Sequence, residues 1–279
     1  MPNFGYHVAR LKGSVFRRFY QISLPLIVRN HVPVLRSLAF DVVSYSGETT
    51  VPEQIASIRS FLRHAGRPKS FTVVSDGSHS RSSVRLIEQV DPSVRVQSTV
   101  PLPAAALPEK FRKYLTTHPT GKQLALIMSL PANGPALYVD SDVLFFDGAI
   151  DLLARTGEKN LPAIYLADCQ FSGDQRLLLA SAEQNEPVNT GVLLLFRKLD
   201  WTLASERFLK LEGAPNFFTN QTLAHVVMHA SGARAFDSTK YVLQLDDQFI
   251  YADRYASPNL ALRHYVNPVR HKFWTSLIH

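Results

Sequence analysis

Ala136-Leu-Tyr-Val-Asp140-Ser-Asp142-Val-Leu-Phe-Phe146 is the stretch on which the fold turns. An apolar run of strand type ends in two carboxylates one residue apart, and a second apolar run follows. Valine, tyrosine and leucine before Asp140 favour a buried strand. Alternate residues of an extended chain point the same way, so Asp140 and Asp142 converge on one point. At the carboxyl end of a strand in an open α/β sheet, that point is where ligands bind. Two carboxylates held together repel each other unless positive charge sits between them. A hard divalent cation meets that need and in turn holds phosphate oxygens. The same letters also spell a strand followed by an Asp-Ser-Asp turn, since both residue types are common in turns.

Upstream, the pattern repeats strand and helix. Residues 38–45 read as a buried strand, and 51–63 as a helix with Pro52 in its first turn and Ile55, Ile58 and Leu62 on one face. Residues 71–75 are a second strand, closed by the Asp76-Gly77 turn; 84–90 form a helix and 94–97 a third short strand. Such repeats predict a right-handed, parallel βαβ sheet. A proline- and alanine-rich connection at 101–108 leads to helices at 109–115 and 121–130, the second feeding the opening stretch. Downstream, 147–155 reads as a short helix, 163–168 and 188–196 as strands, and 171–186 as polar loop or helix. Helices are expected at 205–211 and 220–228, and short strands at 241–245 and 249–251. The tail, 262–274, is dense in cations and aromatics, with Trp274 as its expected anchor.

With 279 residues, 46% of them hydrophobic, the chain can bury a sizeable α/β core. No apolar run is long enough to cross a membrane. The first residues lack the pattern of a secretory signal, and Cys169 is the single cysteine, which fits a reducing compartment. The expected location is cytoplasmic, including the cytoplasmic membrane face. Cys169 itself reads as a small buried residue rather than a nucleophile. The net charge is +7 and uneven: residues 1–36 carry Arg10, Lys12, Arg17, Arg18, Arg29 and Arg36 and no acidic residue, interleaved with apolar ones. That segment is either a basic amphipathic stretch for an anionic membrane surface or an arm packed on a domain spanning 37–279. No nucleic-acid-binding module is visible. A basic chain suits anionic substrates such as nucleotide diphosphates.

Four stretches, in order, resemble the family 8 retaining glycosyltransferases, the group of glycogenin and bacterial lipopolysaccharide galactosyltransferases. They are Lys122-Gln-Leu-Ala before Leu137-Tyr-Val-Asp140-Ser-Asp142, then Asp168 ending the next strand, then Val188-Asn-Thr-Gly-Val-Leu-Leu, then His264-Tyr with Lys272-Phe-Trp274 after it. The resemblance spans about residues 38–274. It implies a single GT-A domain, with a Rossmann-like, mostly parallel central sheet flanked by helices. It implies a sugar moved with retention from a nucleotide diphosphate, most simply a UDP-sugar, to a hydroxyl of a glycan, a lipid-linked acceptor or a protein. Asp140, Asp142 and His264 would bind manganese or magnesium, the nitrogen ligand leaning toward manganese. Lys272 or Arg270 would contact the phosphates. Lys122, Asp168 and Asn189 would contact the donor sugar, and Gln221 would lie beside the anomeric carbon. Tyr45 would stack on the base or merely pack.

The chain departs from the family pattern in places. Asn220-Gln221 stands where aspartate-glutamine is usual, and an asparagine cannot act as a nucleophile or carboxylate. Asp246-Asp247-Gln248 offers a second aspartate-glutamine. Asn267 replaces a glycine and Phe273 a proline. Lys272 lies two residues further from His264 than the pattern expects, while Arg270 falls at the expected spacing and His271 lies between. Two other functions compete: a nucleotidyltransferase on a similar sheet, which would want a glycine-rich loop after the first strand, and a non-catalytic binding protein, for which Asn220 is the motive.

Overall fold

The computed structural model describes residues 3–101, 107–155, 157–158 and 160–277; the expected connection at 101–108 falls mostly outside them. The chain opens with helix α1 (Phe4–Ile27), capped where the Asn3 side chain accepts from the Tyr6 N–H. Then follow β1 (Asp41–Ser46), α2 (Val51–His64), β2 (Phe71–Ser75), α3 (Arg81–Glu88) and β3 (Val94–Gln97). Helices α4 (Glu109–Thr117) and α5 (Pro119–Ser129) lead to β4 (Ala136–Val139) and β5 (Val143–Phe145). After a single turn at Asp147–Ile150 come α6 (Asp151–Arg155), β6 (Ala163–Ala167), β7 (Val188–Leu195), α7 (Thr202–Leu209) and α8 (Thr219–Ala230). The short strands β8 (Arg234–Ala235), β9 (Tyr241–Val242) and β10 (Leu262–His264) precede the last helix, α9 (Arg270–Ser276).

Among the described residues, seven strands form one sheet in the order β3-β2-β1-β4-β7-β6-β8. The sheet is parallel except at β7, which runs against both β4 and β6. Connections leave β1 toward β3 and return to β4 on its other side, which makes the crevice beyond β1 and β4 the topological switch point. The period of two sorts the strand residues between two cores. Val42, Val73, Leu137, Ile164 and Leu194 face the layer of α2 and α3, whereas Val43, Val74, Tyr138, Tyr165 and Leu193 face α4, α5, α7 and α8. All eight residues of β7 are buried.

A smaller sheet, β5-β10-β9, lies beyond the carboxyl edge of the large one, with β10 antiparallel to β5 and parallel to β9. Leu144 of β5 packs with Tyr265, Phe273 and Trp274 in a third cluster, so α9 is bound to the back of this small sheet. Trp274 is the anchor expected of it: it is 4% exposed and its ring lies 5.2 Å from that of Tyr20 in α1.

Helix α2 is amphipathic by sequence yet buried nearly all round, because α1 crosses its outer side. Arg17 of α1 bonds both Glu53 oxygens and the Thr49 carbonyl, and Arg59 of α2 donates to the Ile27 and Asn30 carbonyls at the end of α1. Against α9, α1 approaches so closely that a Cβ at Gly13 would lie 2.5 Å from the His271 carbonyl oxygen. The basic N-terminal segment is thus a 24-residue helix laid along the domain. No helix among the described residues is long and apolar enough to cross a membrane.

One expectation needs correction. Residues 249–251 form no strand: Phe249, Ile250 and Tyr251 are exposed in a turn with no neighbouring strand to pair with. The parallel repeat read upstream holds for β1, β2 and β3, and the sheet is mostly parallel, with β7 alone reversed. The segment 171–186, read as loop or helix, is a loop with two single helical turns, at Gln175–Leu177 and Ser181–Gln184.

Candidate active site

The site forms at the switch point from four separate elements. Asp140 follows β4, and its backbone N–H still pairs with the Gly191 carbonyl of β7 at 2.8 Å. Asp142 precedes β5, with its own carbonyl held by the Tyr265 N–H at 2.9 Å. His264 ends β10 and places Nε2 3.0 Å from Asp142 Oδ1 and 3.8 Å from Asp140 Oδ2. Asp140, Asp142 and His264 each bring one potential ligand atom, and these atoms lie within 4.8 Å of one another. The three residues read from the sequence as a metal site therefore converge.

Asn189 of β7 sets the character of this group. Its Oδ1 accepts from the Gly191 N–H at 2.8 Å and lies 3.0 Å from His264 Nδ1. Its Nδ2 donates to Asp168 Oδ2 at 3.2 Å and to Gln221 Oε1 at 3.3 Å. The carboxylate acceptor fixes which end of the amide is nitrogen, so the oxygen faces the imidazole and takes the Nδ1 proton. The Nε2 lone pair is then presented to the two aspartates, which is what a metal-ligating histidine requires. All four hydrogen-bonding positions of the amide are used, so Asn189 holds the site together rather than reaching for a sugar.

Asp140 is held differently. Its Oδ1 accepts from Tyr138 Oη at 2.8 Å and from Gln123 Nε2 at 3.0 Å, leaving Oδ2 toward the centre. Tyr138 reaches it because residues two apart share a strand face. Burial, reinforced by the neighbouring Asp142 charge and opposed by His264, pushes the Asp140 carboxyl up to about 6. Burial works to raise Asp142 too, but His264 and Arg270 outweigh it and hold that carboxyl at about 2. His264 is raised above its ordinary value, because the Asp142 charge overcomes a burial effect of opposite sign. Two carboxylate oxygens and one imidazole nitrogen are a donor set suited to a hard or borderline divalent cation.

These residues wall a cleft of about 330 Å³ that also takes in Asp168, Gln221, Phe217, Phe218 and Arg270. A larger groove of about 500 Å³ runs under α1, but no acidic residue lines it, so the chemistry belongs to the smaller cleft. Gln221, in the first turn of α8, donates to the Ser172 carbonyl at 2.6 Å and to Asp168 Oδ2 at 3.4 Å. Asn220 is 5% exposed and donates to Gln123 Oε1 at 2.9 Å. It therefore orients the glutamine that orients Asp140, which a neutral amide does without adding a third carboxylate.

Of the tail cations, Arg270 is the one at the cleft, its Nη2 paired with Asp142 Oδ2. Lys272 is removed from the site: it is fully buried, with Nζ bonded to Asp247 Oδ2 at 2.7 Å and to the Asp247 and Ala252 carbonyls. Asp247 is fully buried there with it, and Asp246 is on the surface beside Arg254, so the second aspartate-glutamine pair lies outside the cleft. His271 packs its ring against Tyr6 at 5.4 Å. Lys122 is half-buried on α5 and does not line the cleft; Gln123, the next residue, does, and the sequence reading passed over it. Its signal was a polar side chain beside the apolar run Leu124–Met128. Tyr45 packs against the second core, its buried hydroxyl without a partner and pushed up to about 12 by burial. Cys169 is exposed rather than buried, and partial burial with the Asp168 charge pushes its thiol up to about 11, so it stays protonated.

Gly191 matters through what it lacks. A Cβ there would lie 2.2 Å from His264 Cε1 and 2.4 Å from Nδ1. If the three residues hold a divalent cation, Gly191→Ala would displace the imidazole and weaken its binding by about ten- to a hundredfold, the range seen when a ligand loses its support. Calorimetric titration with manganese checks this, alongside circular dichroism for the fold. An unchanged affinity in a folded variant takes His264 out of the ligand set.

The fold is the GT-A glycosyltransferase fold. Solved structures that share it include the galactosyltransferase LgtC in complex with donor and acceptor sugar analogues, with 17% identity and a TM-score of 0.58 over 85% of this chain and 95% of that one. An active-site glutamine-to-glutamate variant of LgtC aligns similarly, with 16% identity and a TM-score of 0.57 over 86% of this chain and 95% of that one. Mouse xyloside xylosyltransferase 1 matches with 11% identity and a TM-score of 0.52 over 84% of this chain and 99% of that one. No protein-family model matches the chain, and no curated protein matches it either.

Proposed function

We propose that the protein is a metal-dependent glycosyltransferase that moves a sugar from a nucleotide diphosphate, a UDP-sugar by preference, to an acceptor hydroxyl with retention. The observation that carries this reading is the convergence of Asp140, Asp142 and His264 on one point of a cleft that also holds Asp168, Gln221 and Arg270. The similar structures are glycosyltransferases, one of them carrying donor and acceptor analogues.

The three ligands fit manganese or magnesium, with manganese favoured by the imidazole. When bound, such an ion supplies positive charge to the diphosphate as it leaves. The protein's own residues do the rest. Asn189 keeps the proton of His264 on Nδ1. Gln123 and Tyr138 hold one oxygen of Asp140, so that only the other faces the centre. Arg270, half exposed, can turn its guanidinium from Asp142 to a phosphate oxygen, the exchange of one anion for another that a planar fork permits. Asp168 and Gln221 line the place for the donor sugar, and Phe217 and Phe218 offer aromatic faces at the mouth. Tyr45, its hydroxyl unpaired at the end of β1, remains for the base.

In retaining transfer the acceptor oxygen bonds the anomeric carbon on the face from which the diphosphate departs. The old carbon–oxygen bond breaks, and the acceptor proton passes to the departing phosphate oxygen. No carboxylate is needed at position 220 for that course, and Asn220 supplies none. A cytoplasmic location agrees with the lone cysteine and with a donor of this kind.

The test is a screen of nucleotide sugars for hydrolysis with manganese, read as released UDP or GDP. One UDP-sugar is expected to be turned over, and chelation of the metal is expected to stop it. Pyrophosphate release from a nucleoside triphosphate, with no sugar nucleotide consumed, would falsify the proposal in favour of a nucleotidyltransferase.

A further inference from the structure

Helix α1 has two faces, and only one of them is used. Ala9, Gly13 and Leu24 are buried against the domain. Phe4, Val8, Leu11, Val15, Phe19, Ile22 and Leu26 are all exposed, five of them by 65% or more. At 3.6 residues per turn these seven positions fall within an arc of about 80°, a continuous apolar stripe down a helix about 36 Å long. An exposed apolar patch of this extent, rimmed by polar groups, marks an interaction surface. Lys12 borders the stripe on one side and Arg18 on the other, both exposed, with Arg29 just past its end.

Charge selects the occupant. The first 36 residues contain six Lys and Arg and no acid; Arg17 is paired with Glu53 on the domain side, while Lys12, Arg18 and Arg29 are exposed beside the stripe. A second copy of the helix laid on the stripe would bring cation against cation. A zwitterionic or neutral apolar partner would leave the charges unused. An anionic bilayer satisfies both the stripe and its rim. The helix is too polar to cross a membrane, so it would lie in the interface.

We infer that α1 docks the protein on an anionic phospholipid surface through this stripe. The inference is independent of the transferase reading, since it rests on a face that the cleft does not use. It has a geometric consequence for that reading. The opposite face of α1 rests on α9 and on the loop before it, where Tyr6 Oη donates to the Pro268 carbonyl at 3.4 Å. That loop is a wall of the candidate cleft, and a second cleft of about 440 Å³ runs from Arg10 and Arg17 of α1 to Arg270 and Asp142. Only one helix, about 10 Å thick, would separate the bilayer from α9. An acceptor hydroxyl at the headgroup level would be within reach.

The test is vesicle flotation with the full chain, using phosphatidylcholine vesicles with and without 30 mol% phosphatidylglycerol. The native protein is expected to float with the anionic vesicles and to lose binding as salt is raised. Leu11→Glu combined with Ile22→Glu is expected to abolish flotation while leaving the melting temperature unchanged, because both side chains already face solvent. Lys12→Gln combined with Arg18→Gln should weaken binding by about fivefold per cation. Native protein that stays unbound to anionic vesicles overturns the inference. So does undiminished flotation of the glutamate variant. A native dimer in sedimentation that the glutamate variant dissociates, with no vesicle binding, assigns the stripe to a second copy instead.

Discussion

Asp142→Asn is expected to lower donor turnover on the order of a thousandfold, the scale at which loss of one charge-stabilising group acts on a developing anion. Asp142 is the carboxylate that holds the site together: His264 Nε2 lies at one oxygen and the Arg270 guanidinium at the other. Neutralising it would leave Asp140 as the one charged ligand of the proposed metal site and remove the charge that keeps Arg270 in place. The amide has nearly the shape of the carboxylate, so the backbone between β4 and β5 should hold. Two readings check this: released nucleotide diphosphate under saturating manganese, and the rise in melting temperature that donor and manganese together give the native protein. The variant is expected to lose both. A variant that turns over donor within tenfold of the native rate would remove Asp142 from the machinery.

The largest effect on stability is expected at Asp247, well away from the chemistry. Arg263 is fully buried and grips both Asp247 oxygens, at 2.7 and 3.0 Å, while it also pairs with Asp253 and donates to the Gln244 carbonyl. Lys272 shares Asp247 Oδ2 with Arg263 and also bonds the Asp247 carbonyl. Tyr255 and Tyr265 stack on the guanidinium at 4.9 and 5.1 Å. Two cations and two anions thus form a neutral buried cluster. Removing one anion leaves an uncompensated charge in the interior, which costs about 3–5 kcal/mol. Asp247→Ala should therefore melt roughly 6–20 °C below the native protein, given about 2–4 °C per kcal/mol for a chain of this size.

The same residue sets an acid limit. Burial works to raise the Asp247 carboxyl, but the bonds and charges of Arg263 and Lys272 prevail and hold it below the ordinary range. The folded value lies below the unfolded one, so its stabilisation is present above about pH 4 and drains away as the pH falls through the folded value. Asp247→Asn should flatten that part of the stability curve. A variant melting within about 2 °C of the native protein at neutral pH, with the acid limb unchanged, would show the cluster to be inert.

Much of the large sheet was legible. The bounds read for 71–75 and 94–97 coincide with β2 and β3, because β-branched runs between turn residues leave few alternatives. The direction of β7 was not legible: a strand buried on both faces shows no pattern that distinguishes a parallel from an antiparallel neighbour. Strands β8, β9 and β10 are two or three residues long, shorter than any periodicity. Phe249-Ile-Tyr251 has the composition of a strand but no partner, and composition cannot supply one. At the site, Asp140, Asp142 and His264 could be found because metal ligands are chemically restricted. Lys272 could not be assigned, since its place depends on Asp247, 25 residues away, and a buried lysine looks like an exposed one in sequence. Gln123 was invisible for the same reason: its value comes from Tyr138, Asp140 and Asn220, which only the fold assembles.

Because β7 runs against its neighbours, its first residues arrive at the sheet edge where β4 and β6 finish. Asp140, Asp168 and Asn189 therefore stand on backbone already tied by ladder hydrogen bonds. Their side-chain freedom is surrendered during folding, so donor binding has little further ordering to impose on them. What ordering remains falls on Arg270, half exposed on a helix outside the main ladder. The cleft is stiff along the sheet and adjustable at Arg270. Differences in donor affinity among variants should then follow how firmly the tail seats, rather than any change in the sheet.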